Sequence, residues 1–265
     1  MSEKELFEKL RACFISLLRE NNIEDTAVEI TCRSLSPTDV IGDTKRKDFP
    51  ILTGKDVMIQ AECMGFKGHA FTDAPGTFSG SLRDILAMDI VHDAHGRGLF
   101  VASLNAVMRA LGRCTDTVHC RAEGPEECAR EMDLFLREQY PSVNKVTLVG
   151  YQPALLEMLA AGPWSVRILD LNPANIGQER FGVIVENGGT AMQSAIDFAD
   201  LILCTGSTLC NGTIVNYILP DKEVLFYGIS AAGASQLLGL KRICFADKFG
   251  KKLLGTDYRS CTDCE

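Results

Sequence analysis

The chain has 265 residues, of which 46% are hydrophobic and 23% charged, enough apolar material for one large core or two modest ones. Its net charge of −8 argues against nucleic acid and anionic membrane surfaces as partners, since both need a basic face. The charged, amphipathic start and the lack of any apolar run of membrane-spanning length predict a cytoplasmic protein whose partner is a small molecule, with a homo-oligomer left open.

Leu6, Leu10, Cys13, Phe14, Leu17 and Leu18 recur at helical spacing, so residues 3–20 form an amphipathic helix. Val28, Ile30 and Cys32 alternate with polar residues, as do Val57, Ile59, Ala61 and Cys63; with Phe66 to Phe71 this predicts a small antiparallel meander over 26–72. Lys45, Arg46, Lys47 and Asp48 mark a solvated loop between Asp43 and Pro50. The loop after the meander, Thr72 to Gly80, concentrates oxygen donors at Thr72, Asp73, Thr77 and Ser79 on a Gly/Pro-punctuated turn. Helices follow: one beginning at Leu82, one over Leu99 to Leu111, and one opened by Pro125. Strands then helices indicate an α+β domain over residues 1–141.

From 142 to 265 short apolar runs alternate with helical patterns, at 145–150, 166–170, 182–186, 200–205, 223–228 and 242–246. That alternation predicts a Rossmann-like, doubly wound parallel sheet, giving an α/β chain overall, with ligands outside the carboxyl ends of its strands. Four strand ends carry unusual loops. The first holds Gly150 and Gln152; the second holds Asp170 and Asn172, with Asp170 about 20 residues beyond Gly150, as in ribose-binding units. The third is the richest, with Thr205, Gly206, Ser207, Asn211 and Thr213; the fourth begins at Tyr227. Backbone N–H groups and helix N-termini there could hold an anionic group without any lysine.

No G-x-G-x-x-G, Walker lysine or G-x-S-x-G motif occurs, so neither a dinucleotide, an NTPase nor a serine hydrolase is indicated, and whether the chain is an enzyme stays open. Eleven cysteines cannot all pair within the chain; Cys13, Cys32, Cys128, Cys204 and Cys244 lie in apolar patterns and are expected as buried thiols. Cys261 and Cys264 form a lone C-x-x-C, too few ligands for a tetrahedral site. His92 and His95 belong to a polar turn. On a strand, His119 and Cys120 would point to opposite faces, so at most one would serve a given site. His69, just before the Thr72 loop, is the candidate metal-binding histidine, with Asp73 as its partner.

Val149 to Pro153, Ile202 to Ser207, and Phe226 to Gly228 with the Ala/Gly run to Gly233 give the chain a resemblance to a bacterial and archaeal family. It resembles, over nearly its whole length, the proteins described as "putative heavy-metal chelation", whose members join an enolase-N-terminal-like domain to a Rossmann-like domain. The resemblance implies a site in the cleft between domains and a role in handling a metal or a metal-chelating small molecule. The expectation is therefore a small anionic or metal-chelating ligand, with a transition-metal ion entering alongside it. The alternatives are an S-adenosylmethionine- or nucleotide-dependent transferase with Asp170 on the ribose, and a metal sensor or store that uses the cysteines.

Overall fold

A computed structural model describes residues 1–25, 27–53 and 57–250. In chain order the elements are α1 (Glu3–Glu20), β1 (Glu29–Leu35), α2 (Pro37–Ile41), a 3-10 turn (Pro50–Thr53), β2 (Val57–Cys63), β3 (Phe66–Thr72), β4 (Phe78–Ser81), α3 (Leu82–Ala87), α4 (Ala94–Ala110) and α5 (Gly124–Gln139). They continue as β5 (Lys145–Val149), α6 (Pro153–Ala161), β6 (Ser165–Asp170), β7 (Glu179–Arg180), β8 (Val183–Asn187), α7 (Met192–Phe198), β9 (Leu201–Thr205), α8 (Ser207–Cys210), a second 3-10 turn (Thr213–Tyr217), β10 (Glu223–Tyr227), α9 (Ala232–Leu238), β11 (Arg242–Ile243) and α10 (Ala246–Gly250).

Two sheets result. The first is four-stranded and antiparallel, in the order β3-β2-β1-β4. The second has seven strands in the order β11-β10-β9-β5-β6-β8-β7 and is parallel except for β7, which runs antiparallel to β8 at the edge. The order reverses beside β5, so the crevice between the ends of β5 and β9 is the switch point where open α/β sheets bind ligands.

Alternation along the parallel strands explains why they read as unbroken apolar runs. Val146, Leu148, Leu201, Leu203 and Leu225 pack on one face with Ala129, Met132 and Leu136 of α5 and Leu155, Leu156 and Leu159 of α6. Val149, Ile202, Cys204 and Phe226 face the other way, into a core shared with Leu6, Leu10 and Phe14 of α1 and Phe100, Leu104 and Met108 of α4. The largest core therefore runs under both sheets. Helix α4 is buried from Gly96 to Met108 on every side, and β3 lies so close that a Cβ on Gly68 would stand 2.3 Å from the Ala106 nitrogen.

Two differences from the sequence reading have local causes. Helix α4 starts five residues earlier than its apolar period, because the Asp93 carboxylate caps the N–H groups of His95 and Gly96 at 3.0 Å each. Between β9 and β10 the crossover shrinks to four residues of α8 and a 3-10 turn, broken at Gly212, whose φ is +82°. The Cys261 and Cys264 pair lies outside the described residues. No helix among them is long and apolar enough to cross a membrane.

Candidate functional site

The carboxyl ends of the central parallel strands open into a cavity of about 620 Å³ that also reaches the end of β3. That size suits a small organic ligand. Eleven of the residues singled out from sequence line it together with Asp73: Gly150, Gln152, Asp170, Asn172, Thr205, Gly206, Ser207, Asn211, Thr213, Tyr227 and Thr72.

Most of these groups shape the cavity rather than project free donors into it. At its floor, Tyr227 donates its hydroxyl to the carbonyls of Gly150 (2.9 Å) and Val149 (3.1 Å), and its own carbonyl accepts the Gly206 N–H at 2.7 Å. Gly150 is required twice over. Its φ is +89°, and a Cβ there would lie 2.5 Å from Thr205 Cγ2. Asp170 accepts the N–H of Tyr151 (2.8 Å) and of Asn172 (2.6 Å) and the Asn175 amide (3.2 Å), so its carboxylate organises two loops. The ribose role expected for it therefore competes with three bonds. Gln152 caps α6 through the Leu155 N–H (2.5 Å), Asn211 holds an Asx turn onto Thr213, and Thr72 accepts the Ala74 N–H (3.0 Å).

Buried hydrogen bonds lock the two walls together. Asn105 of α4, fully enclosed, donates to the carbonyls of His69 (2.9 Å), Ile229 (3.1 Å) and Ser230 (3.2 Å) and accepts the Gly233 N–H at 2.7 Å. Ser230 in turn accepts the Phe71 N–H at 2.9 Å, which brings Thr72 and Asp73 to the crevice. Below α8, buried Arg97 donates to the Cys210 carbonyl (2.8 Å) and pairs with Glu3 (2.6 Å). On the far side, Arg46 pairs with Asp48 (2.6 Å) and Glu157 (2.7 Å), and it stacks over Phe49 and Phe181. The 43–50 loop is thus a wall with Phe49 and Pro50 in the cavity lining, not a solvated turn.

His69 is not part of the lining. Its Nδ1 accepts the His119 N–H at 3.2 Å, which leaves the proton on Nε2, 3.1 Å from Gln60 Oε1. No lone pair remains for a metal, and burial drives its pKa down to about 3. Residues 117–121 form no strand, so the alternation argument fails, and both His119 and Cys120 line the cavity. Sequence reasoning also missed Tyr151, Asn216 and Ser230. Tyr151 could have been found, as the residue directly after the switch-point glycine.

Four thiols, Cys120, Cys128, Cys210 and Cys244, line the cavity as well. Burial pushes Cys128 and Cys210 up to about 12 and raises Cys120 and Cys244, so all four stay protonated near neutral pH and present soft apolar surface. Among the described residues no three His, Cys, Asp or Glu side chains converge so as to hold a metal ion. A bare heavy-metal ion therefore does not fit the donor set. Nor, among the described residues, does any lysine or arginine line the cavity.

The sequence of this α/β crevice has a match. Residues 133–241 match the DUF364 family model, described as "Putative heavy-metal chelation". The matched segment spans the second half of α5 through α9, and so holds the four strand-end loops. Two crystal structures of DUF364 proteins of unknown function are similar to the chain. One, from Pyrococcus horikoshii, is 13% identical, with a TM-score of 0.51 over 85% of this chain and 79% of that one. The other, from Desulfitobacterium hafniense, is 14% identical, with a TM-score of 0.44 over 69% and 71%. At such identity the first likeness is one of fold. No curated protein matches the chain.

Proposed function

We propose that the chain binds a small metal-chelating organic molecule in the cavity between its two sheets, the metal arriving within the ligand's own coordination shell. The observation that carries this reading is the pairing of a cavity of about 620 Å³ at the switch point with the lack, among the described residues, of any three converging metal-ligating side chains. An organic molecule fills such a space; a bare ion would find too few donors. The chelation named for the DUF364 model supports the ligand class. The boundary near residue 141 belongs to the same proposal, with the antiparallel sheet as one wall and the parallel sheet as the other.

The transferase alternative places a ribose on Asp170, where it would compete with three local bonds. Thermal-shift measurements with nickel chloride, the 1:1 nickel–8-hydroxyquinoline complex and nickel citrate test the proposal. At least one complex should raise Tm, nickel chloride should not, and Ser207→Phe, which fills the cavity, should remove the shift. Stabilisation by nickel chloride alone, or a shift that survives Ser207→Phe, would overturn it.

A further inference from the structure

A side-chain amide has an accepting end and a donating end, and the end the fold uses decides what the other can offer a ligand. Three amides in the cavity lining are used at the same end. The Gln152 oxygen accepts the Leu155 N–H at 2.5 Å, the Asn172 oxygen accepts the Ala174 N–H at 3.0 Å, and the Asn211 oxygen accepts both the N–H (3.0 Å) and the hydroxyl (2.7 Å) of Thr213. A backbone N–H can face only the oxygen, so each bond fixes the flip of its amide. The three NH2 groups are left as donors with no hydrogen-bond partner among the described residues.

Tyr151, Tyr217 and Tyr227 line the same cavity, and their hydroxyls have different fates. That of Tyr227 is spent on the Val149 and Gly150 carbonyls, and that of Tyr151 is sealed within the wall, out of a ligand's reach. The Tyr217 hydroxyl makes no hydrogen bond among the described residues, yet it is not one of the sealed atoms. Its side chain is 4% exposed and packed into the core that holds Cys204 and Ile214, so the surface it keeps belongs to the cavity it lines. A buried phenol needs a partner for its hydroxyl, and here a ligand can supply one. None of these four donors is charged, so they suit oxygens whose negative charge is already compensated. Of the two carboxylates in the described lining, Asp170 is taken up by three donors, whereas Asp73 has no hydrogen bond or ion pair among the described residues. A ligand that carries its own metal brings the positive charge that offsets Asp73.

We propose that Gln152, Asn172, Asn211 and Tyr217 are the donors for the acceptor oxygens of the ligand, so that the cavity selects an oxygen-rich chelate, of the metal-hydroxycarboxylate kind, over an aromatic nitrogen chelate. This rests on the cavity reading above and narrows its ligand class. The test titrates nickel citrate and the 1:1 nickel–8-hydroxyquinoline complex calorimetrically into the full chain, its Tyr217→Phe variant and a double variant carrying Asn172→Asp and Asn211→Asp. Aspartate keeps the oxygen that holds each turn and replaces only the NH2 group, so the double variant should melt close to wild type. Tyr217→Phe should do the same, because the hydroxyl holds nothing within the protein. The expected result is that nickel citrate binds at least about tenfold more tightly than the 8-hydroxyquinoline complex and loses about tenfold in each variant, while the weaker complex loses less. Equal or tighter binding of the 8-hydroxyquinoline complex, or nickel citrate binding that neither variant weakens, would overturn the donor assignment and leave the cavity reading standing. A Tm loss of several degrees in Tyr217→Phe would overturn it too, since the hydroxyl would then be a structural bond. Binding of neither complex would remove the cavity reading and this inference with it.

Discussion

Gly150 carries two separable constraints, a positive φ and a wall against Thr205, and each has its own cost. Gly150→Ala should destabilise the chain by about 2–3 kcal/mol in urea unfolding, and adding Thr205→Ser, which removes the colliding methyl, should recover only part of the loss. Full recovery would show that the backbone conformation costs nothing. The two amide protons of Asn105 are shared among three carbonyls and its oxygen accepts the Gly233 N–H, so Asn105→Ala should cost about 2–3 kcal/mol by removing the side-chain donor from the His69 and Ser230 carbonyls and the acceptor from the Gly233 N–H, while the Ile229 carbonyl keeps the Ala232 N–H. Neither effect was equally visible in the sequence. A glycine ending an apolar run announces a tight turn, but a lone asparagine inside an apolar helix announces only that something polar is enclosed. The same limit explains His69: its position before the Thr72 loop is legible, and so is Gln60 opposite it in the hairpin, but the partner of its other ring nitrogen, the His119 N–H, comes from fifty residues further on.

At the scale of elements, what was legible follows from length. Helix α1, the β2-β3 hairpin and the five longer parallel strands repeat their period often enough to be read. The run at 242–246 is legible too and holds the two-residue β11, whereas the two-residue β7 has too few residues to show a period, and β7 is what makes the sheet mixed. Helix α8 is short and would fray alone, yet Arg97 grips its last carbonyl from α4. Arg97→Met should leave the sheets folded while hydrogen exchange accelerates selectively at 205–213 and around 90–94, because the Cys210, Ile90 and Val91 carbonyls lose their donor. Uniform acceleration across the chain would mean that Arg97 supports the whole core instead. The four strand-end loops were readable as a group because ligand crevices recur at such ends. Their internal bonding was not, since Ser, Thr, Asn and Asp serve turns and ligands with the same atoms.

For the molecule as a whole, burial of two histidines sets the response to acid. His69 and His119 have folded pKa values near 3 and 4, below the ordinary 6.5, so between those values the unfolded chain takes up protons that the folded chain refuses. Stability is therefore full above about pH 6.5 and falls as pH drops toward 4, by at most about 1.4 kcal/mol per pH unit for each histidine. His119→Gln should flatten the dependence of Tm on pH over that range; an unchanged slope would place the acid sensitivity elsewhere. The fold also joins its two sheets through one core and through Asn105 and Ser230, so the cavity walls belong to one cooperative structure. The claim that an organic chelate, not a bare ion, occupies the space between them is tested most directly by titrating the nickel–8-hydroxyquinoline complex into the wild-type chain and into Ser207→Phe. Binding that falls at least about tenfold in the variant, at nearly unchanged Tm, is the expected result; equal affinity in both proteins, or equal heat from nickel chloride alone, would contradict the account.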